Sequence, residues 1–240
     1  MRLLAALLLL ALSAAPALAA EDCPMPAELT LQDLALPAAR AAKEHHGPIK
    51  IVALGSGPTE GTAAGDLHWT YPARLQARLA TALPGIELIV INKGVAHQTT
   101  AEMAARLDRD VLAEHPQLVI WEPGTVDAAR SLDVDAFAET LGDGLVKLHE
   151  AGIDIIVMDM QYAPSTVSII DFTPYVDTVH RVADLAAVPV FNRFEIMHNW
   201  AETGQFSFDQ TAPDARMATA RRVYDCLAAG LADGIAAALK

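Results

Sequence analysis

Cysteine, histidine and positive charge are the scarce features of this 240-residue chain. It has two cysteines, three tryptophans and eight histidines, and no histidine after His198. Two cysteines exclude a disulfide-dense scaffold and leave at most one internal bridge. The lack of late histidine excludes an imidazole base or ligand from the last loop and helix. With 17 Lys and Arg against 30 Asp and Glu, the formal charge is −13. Such a chain is repelled by nucleic acid and by anionic membrane surfaces, so neither is expected as a partner. The acids are scattered, which reads first as solubility. Beyond the N-terminus no segment is apolar for long enough to span a bilayer. No metal-ligand spacing is present: His97 with Glu122 or Asp127 follows no recognisable pattern, and no metal or cofactor is expected.

The N-terminus is where apolar residues concentrate. Arg2 precedes an unbroken Leu/Ala run from Leu3 to Leu12, broken by Ser13 to Pro16 and followed by Ala17-Leu18-Ala19. This is the layout of a secretory signal peptide over residues 1–19, cut before Ala20, and predicts a periplasmic or secreted protein. Export would put Cys23 and Cys226 in an oxidising compartment, where a pair tends to be bridged, tying the mature N-terminus to the last helix. Roughly 220 residues then remain, enough for one large core: an extension over 20–48 and a single domain over 49–240.

Residues 24–48 are Pro- and Ala-rich and read as mostly irregular. Strands are then expected at Ile49 to Leu54, Ile86 to Ile91, Leu118 to Trp121, Ile153 to Met158 and Val188 to Phe191. Helices are expected at Tyr71 to Leu83, Thr100 to Glu114, Asp133 to Glu150, Tyr175 to Ala187, Phe194 to Glu202 and Arg216 to Leu239. Strands apolar on both faces, alternating with helices, predict an α/β three-layer, flavodoxin-like fold with a parallel sheet of about five strands. Ligands in such sheets bind beyond the carboxyl ends of the strands. The informative loops are therefore Gly55 to Gly61, Asn92 to Thr99, Glu122 to Arg130, Asp159 to Ser165 and Phe208 to Met217.

Four of those loops carry a pattern. Gly55-Ser56-Gly57-Pro58-Thr59 ends the first strand, Asn92-Lys93-Gly94-Val95-Ala96-His97 the second and Gly124-Thr125-Val126-Asp127 follows the third, with Asp214 just ahead of the last helix. In order and spacing these blocks resemble those of the SGNH/GDSL hydrolases, a family of esterases, lipases, thioesterases and carbohydrate deacetylases. The resemblance implies the SGNH-hydrolase fold and acyl transfer: a serine attacks, a histidine three residues after an aspartate accepts its proton, and backbone and Asn donors hold the oxyanion. A serine hydroxyl is a weak nucleophile without a base in reach, and an oxyanion needs donors already aimed at it.

Carried over position by position, the resemblance puts the serine at Gly57, the second-block glycine at His97, the third-block asparagine at Val126 and the histidine at Met217. A second register, starting at Asp209, puts it at Ala212. Only the orienting acid, Asp214, survives. This predicts a divergent member, a pseudoenzyme that keeps a crevice for an acyl or carbohydrate ligand. The alternative is an active carboxylesterase or carbohydrate esterase with displaced groups, drawn from Ser56, His97, Asp127 and Asp214. There a Ser56–His97 dyad would serve, since imidazole is a base near neutral pH. A third reading is a structural partner protein. His45, His46, His68 and His198 read as surface or local packing. Trp69, Trp121 and Trp200 read as core before sugar platform.

Overall fold

A computed structural model describes residues 23–240; the expected leader, residues 1–19 and the cut before Ala20, lies outside the described residues. Strands β1 (Ile49–Gly55), β2 (Leu88–Gly94), β3 (Leu118–Trp121), β4 (Asp154–Met158) and β5 (Val190–Phe191) form one parallel sheet in the order β2-β1-β3-β4-β5. Their side chains alternate between two buried layers, as the pleat requires. Ile49, Ile51, Ala53, Ile120 and Ile156 face one cluster, and Val52, Leu54, Val119, Trp121 and Val157 face the other. The chain is an α/β protein of three layers, as the pattern of apolar strands and amphipathic helices predicts.

The connecting helices are α1 (Pro37–Glu44), α2 (Gly57–Glu60), α3 (Tyr71–Ala82), α4 (Thr100–Ala104), α5 (Leu107–Asp110) and α6 (Thr125–Ala129). They continue with α7 (Val134–Glu150), α8 (Pro164–Val167), α9 (Thr173–Leu185), α10 (Arg193–Glu202) and α11 (Pro213–Leu239). Leu75 and Leu79 of α3 and Leu227, Leu231 and Ile235 of α11 fill the first layer. Met103, Leu107, Leu141, Leu145 and Val179, from α4, α5, α7 and α9, fill the second. Each such fully buried aliphatic side chain contributes about 1.5–3 kcal/mol of transfer free energy. A glycine sets the fit of α7: a Cβ on Gly144 would stand 2.4 Å from the Trp121 ring.

Short helices α2, α6 and α8 form in segments read as loops, and the departures at 24–48 and 100–114 each have a tertiary reason. Residues 24–48 are not irregular throughout, because α1 forms there. Pro37 presets its first turn, and the carboxylate of Asp154 at the start of β4 accepts from the amides of Ala38 (3.1 Å) and Ala39 (2.9 Å). A carboxylate at that end satisfies donors the helix cannot pair internally. The opposite departure is in 100–114, where one expected helix is three short pieces. Arg106, 4% exposed, turns inward at the break and donates to the carbonyls of Lys93 (2.8 Å) and Gly55 (3.3 Å) and to Asp110 (2.8 Å). Closing the carboxyl ends of β1 and β2 takes precedence over the helix repeat. Strand β2 accordingly runs on through Asn92-Lys93-Gly94, in register with Ala53-Leu54-Gly55.

Cys23 and Cys226 are joined in a disulfide across 203 residues of sequence. The bridge anchors the start of the described chain to α11, next to the first apolar layer. In the chain-entropy picture a loop of that length is worth up to about 5 kcal/mol. Among the described residues no helix is long and apolar enough to cross a membrane. Thiol titration of the denatured, unreduced protein should therefore find no free thiol. Cys226→Ser should lower the urea-unfolding free energy by about 2–5 kcal/mol; two reactive thiols, or an unchanged midpoint, would refute the linkage.

Candidate functional site

At the carboxyl edge of the sheet, β1 and β3 end side by side, and the residue after β3 is an acid. Glu122 has no solvent exposure. Its Oε2 accepts from the backbone amide of Ser56 (3.1 Å), the Ser56 hydroxyl (3.3 Å) and the Thr59 hydroxyl (2.9 Å). Its Oε1 accepts from the Thr125 hydroxyl (2.7 Å) and from Nη2 of Arg193 (3.1 Å), a residue 1% exposed. Removing a carboxylate from water costs several kcal/mol, and only a full set of donors plus an opposite charge can offset that. Glu122 has both. Tyr71 adds a fully buried hydroxyl beside this network, with no hydrogen bond of normal geometry among the described residues; burial pushes its pKa well above the ordinary tyrosine range.

The loops around this centre are tied to each other. Buried Asp127, in α6, accepts from the amide (2.9 Å) and hydroxyl (2.9 Å) of Thr100, and the Thr100 hydroxyl accepts from the amide of Gly124 (2.9 Å). The loop after β2 is thereby pinned to the loop after β3. Thr99 caps α4 reciprocally with Glu102, which fixes where that loop turns into helix.

The residues singled out from sequence are distributed over this edge as follows. Ser56 is fully buried and its hydroxyl points at Glu122. Gly57, half-buried in the first turn of α2, faces open space: a Cβ there would meet no atom within 4 Å. Val126 is half-buried in α6. His97 is exposed, with φ of 65°, and its backbone carbonyl accepts from Arg130 (3.1 Å). Asp214 and Met217 lie in the first turns of α11 and line a groove with Trp69, Arg74 and Arg221. Met217 Sδ takes a weak bond from Arg221 at 3.6 Å. Asp209 is exposed ahead of α11, and Ala212 sits at its N-cap. Ser56 is thus brought together with Glu122 rather than with His97, and Asp127 with Thr100 rather than with an imidazole. Glu122 as a hub and Arg193 as its counter-ion are missing from the sequence reading. The available signal was an acid placed directly after a strand that is apolar on both faces.

Residues 22–240 match the non-GDSL lipase-like family. The chain belongs to that family. None of the curated proteins matches it. Among solved structures, the lipase/acylhydrolase from Enterococcus faecalis superposes with a TM-score of 0.63 at 26% identity, over 80% of this chain and 97% of its own. Acetylxylan esterase Axe2 from Geobacillus stearothermophilus gives 0.63 at 18% identity, over 78% and 94%. LAE5, an α/β hydrolase enzyme from the metagenome of Lake Arreo, Spain, gives 0.63 at 17%, over 81% and 99%. In Axe2, a serine-to-alanine and a histidine-to-alanine variant are catalytic mutants. This non-GDSL lipase-like chain therefore has the fold of the SGNH/GDSL hydrolases.

An acid–imidazole pair lies after β4. Asp159, fully buried after β4, accepts from the amide of Phe194 (2.8 Å) and contacts Nε2 of His180 at 3.1 Å. The bond to Asp159 raises the His180 pKa above its ordinary value. Among the described residues no group of three or more His, Cys, Asp or Glu could hold a metal ion.

Two outcomes are expected. Glu122→Ala leaves the Arg193 charge buried without its partner and should destabilise the protein by about 3–5 kcal/mol in urea unfolding. Adding Arg193→Met should cost less than the two single changes summed, because the residues form one unit. An additive pair would contradict that coupling. The second outcome concerns pH. A histidine whose folded pKa lies above its unfolded value of about 6.5 contributes stability that is complete below that pH and is lost as pH rises through the folded pKa. Wild type should lose stability on going from pH 6 to 8, and His180→Gln should flatten that dependence. Parallel curves for the two proteins would exclude His180 as its source.

Proposed function

We propose that this chain is an exported, single-domain SGNH-type protein that binds an acyl or carbohydrate ligand in its crevice and has lost ordinary serine-ester hydrolysis. The observation that carries the reading is the pairing of Ser56 and Gly57. The one serine hydroxyl at the end of β1 is sealed from solvent on the carboxylate of Glu122, while the neighbouring position that faces open space is a glycine. A nucleophile must reach substrate and a base must reach the nucleophile. Ser56 fails the first need, because it is sealed from solvent, and the carboxylate in its reach, Glu122, is already held by the Ser56 amide, Thr59, Thr125 and Arg193. Glu122 also takes the Ser56 amide, a donor that an oxyanion at this turn would require, and sets a fixed negative charge where negative charge would develop. The esterase neighbours, the Geobacillus acetylxylan esterase among them, make acyl and acetylated carbohydrate groups the natural ligand classes. The bridged cysteines support export.

The second reading, an active esterase built on Ser56 with His97, is less well supported, because His97 is exposed and Ser56 is turned inward. A third role, as a structural partner protein, draws on no observation at the site. The test is twofold. Fluorophosphonate labelling and short acyl-ester turnover should match a Ser56→Ala control; turnover lost in Ser56→Ala would establish the rewired enzyme. Gly57→Ser should fold, since its side chain enters open space, and should remain inactive. A new hydroxyl without base and oxyanion donors gives little, because such groups act as a unit. Strong turnover by Gly57→Ser would mean that a base already faces position 57.

A further inference from the structure

Four arginines of this acidic chain line one groove, of about 840 Å³, between α3 and α11. Arg74 and Arg78 stand on the α3 wall, Arg221 and Arg222 on the α11 wall. Asp225 accepts from Nε of Arg74 (2.6 Å) and from Nε (3.2 Å) and Nη2 (2.6 Å) of Arg78. One carboxylate between two guanidiniums leaves a positive charge over, and the two arginine side chains remain 30% and 29% exposed. Arg221 donates to the carbonyl of Ala64 (2.8 Å) and to Met217 Sδ (3.6 Å), neither of which carries charge. The guanidiniums of Arg74 and Arg221 lie 5.0 and 5.7 Å from the centre of the Trp69 ring, which favours cations beside it. The other lining acids, Asp214 and Asp233, are separated by about 28 Å along α11 at the helical rise. Between them the groove holds four arginines against one aspartate, and Ala77, Ala218 and Ala229 leave it shallow-walled.

The complementary surface is on the same chain. Along α7, Asp135, Glu139, Asp143 and Glu150 are all exposed, and Val146 among them is 54% exposed. At 3.6 residues per turn these five positions fall within an arc of about 80° and span about 22 Å. Lys147 lies off that stripe and is committed to Asp108 (2.7 Å). An acidic helix face of about 22 Å thus matches a basic groove of about 28 Å in length and in sign of charge. The two cannot meet within one molecule: α3 and α11 pack in the first apolar layer and α7 in the second, on opposite faces of the sheet.

We propose that the α3–α11 groove docks a second copy of this chain, which enters with the acidic face of α7. Small side chains in the groove let the incoming helix approach closely, and guanidiniums meet carboxylates in the fork geometry that suits them. The contact is heterologous, because each copy offers a different surface, so association continues head to tail or closes into a ring. Repulsion between two copies of charge −13 acts at long range and is screened beyond about 10 Å at 0.1 M salt, whereas the contacts across the groove act within that length. The proposal goes beyond the ligand reading of the crevice and does not rest on it.

The experiment is sedimentation velocity on the disulfide-intact mature protein over a concentration series. At about 0.1 M salt the sedimentation coefficient should rise with concentration, and about 0.5 M salt should weaken association by about tenfold or more. Two blocked variants separate the surfaces. Glu139→Lys with Asp143→Lys reverses the α7 stripe, and Ala77→Trp with Ala218→Trp fills the groove; all four positions are exposed, so each variant should keep the wild-type Tm. Each variant alone should be monomeric. Mixed, they should form a one-to-one heterodimer, because one retains the native groove and the other the native α7 face. A wild type that stays monomeric throughout the series, self-association that survives in either variant, or a mixture that stays monomeric would overturn the proposal. Ester turnover dependent on Ser56 would bear on the crevice alone and leave the docking result standing.

Discussion

The buried carboxylate of Glu122 is the constraint on which the functional edge depends. It collects the amide and hydroxyl of Ser56, the hydroxyls of Thr59 and Thr125, and the guanidinium of Arg193. Those donors come from the end of β1, from α2, from α6 and from α10. One side chain thus sets the relative position of four segments. A charge so deeply buried is tolerable only when every lone pair is used and a counter-ion stands close. This explains why a largely apolar sheet edge carries a fully buried arginine at all.

The same hub shapes the chemistry open to the crevice. On the proposed reading, the turn that would present a nucleophile is spent on structure: Ser56 is a hydrogen-bond donor to Glu122, and the exposed position is left to Gly57. Asp127 is similarly spent on Thr100, joining two loops. Among the described residues the Tyr71 hydroxyl and Nε of Arg106 and of Arg193 stay buried without a hydrogen-bond partner. The framework of a hydrolase is retained while its polar groups serve to hold the loops in place.

Much of the fold was legible in the residues. Strand runs such as Ile49 to Leu54 and Leu118 to Trp121 are apolar at nearly every position, which only a sheet covered on both faces can use. Leu75 and Leu79 mark the buried face of α3 by helical spacing alone. Two cysteines in a chain with a leader-like N-terminus pointed to a single bridge, and Cys23 is joined to Cys226. The order of the blocks along the loops resembles that of the SGNH/GDSL hydrolases, whose fold the chain has.

What local pattern could not supply was the partner of each polar group. Whether 100–114 is one helix or three pieces was decided by Arg106 reaching the carbonyls of Gly55 and Lys93, residues distant in sequence. Whether residues 37–44 form a helix was decided in part by Asp154, more than a hundred residues away. Ser56 and Glu122 stand 66 residues apart and meet only because β1 and β3 are neighbours in the sheet. Periodicity and composition are properties of a window of sequence, so they determine which elements form and which faces are apolar. The pairing of buried charges and hydroxyls depends on the order in which strands pack, and that order is a property of the whole chain.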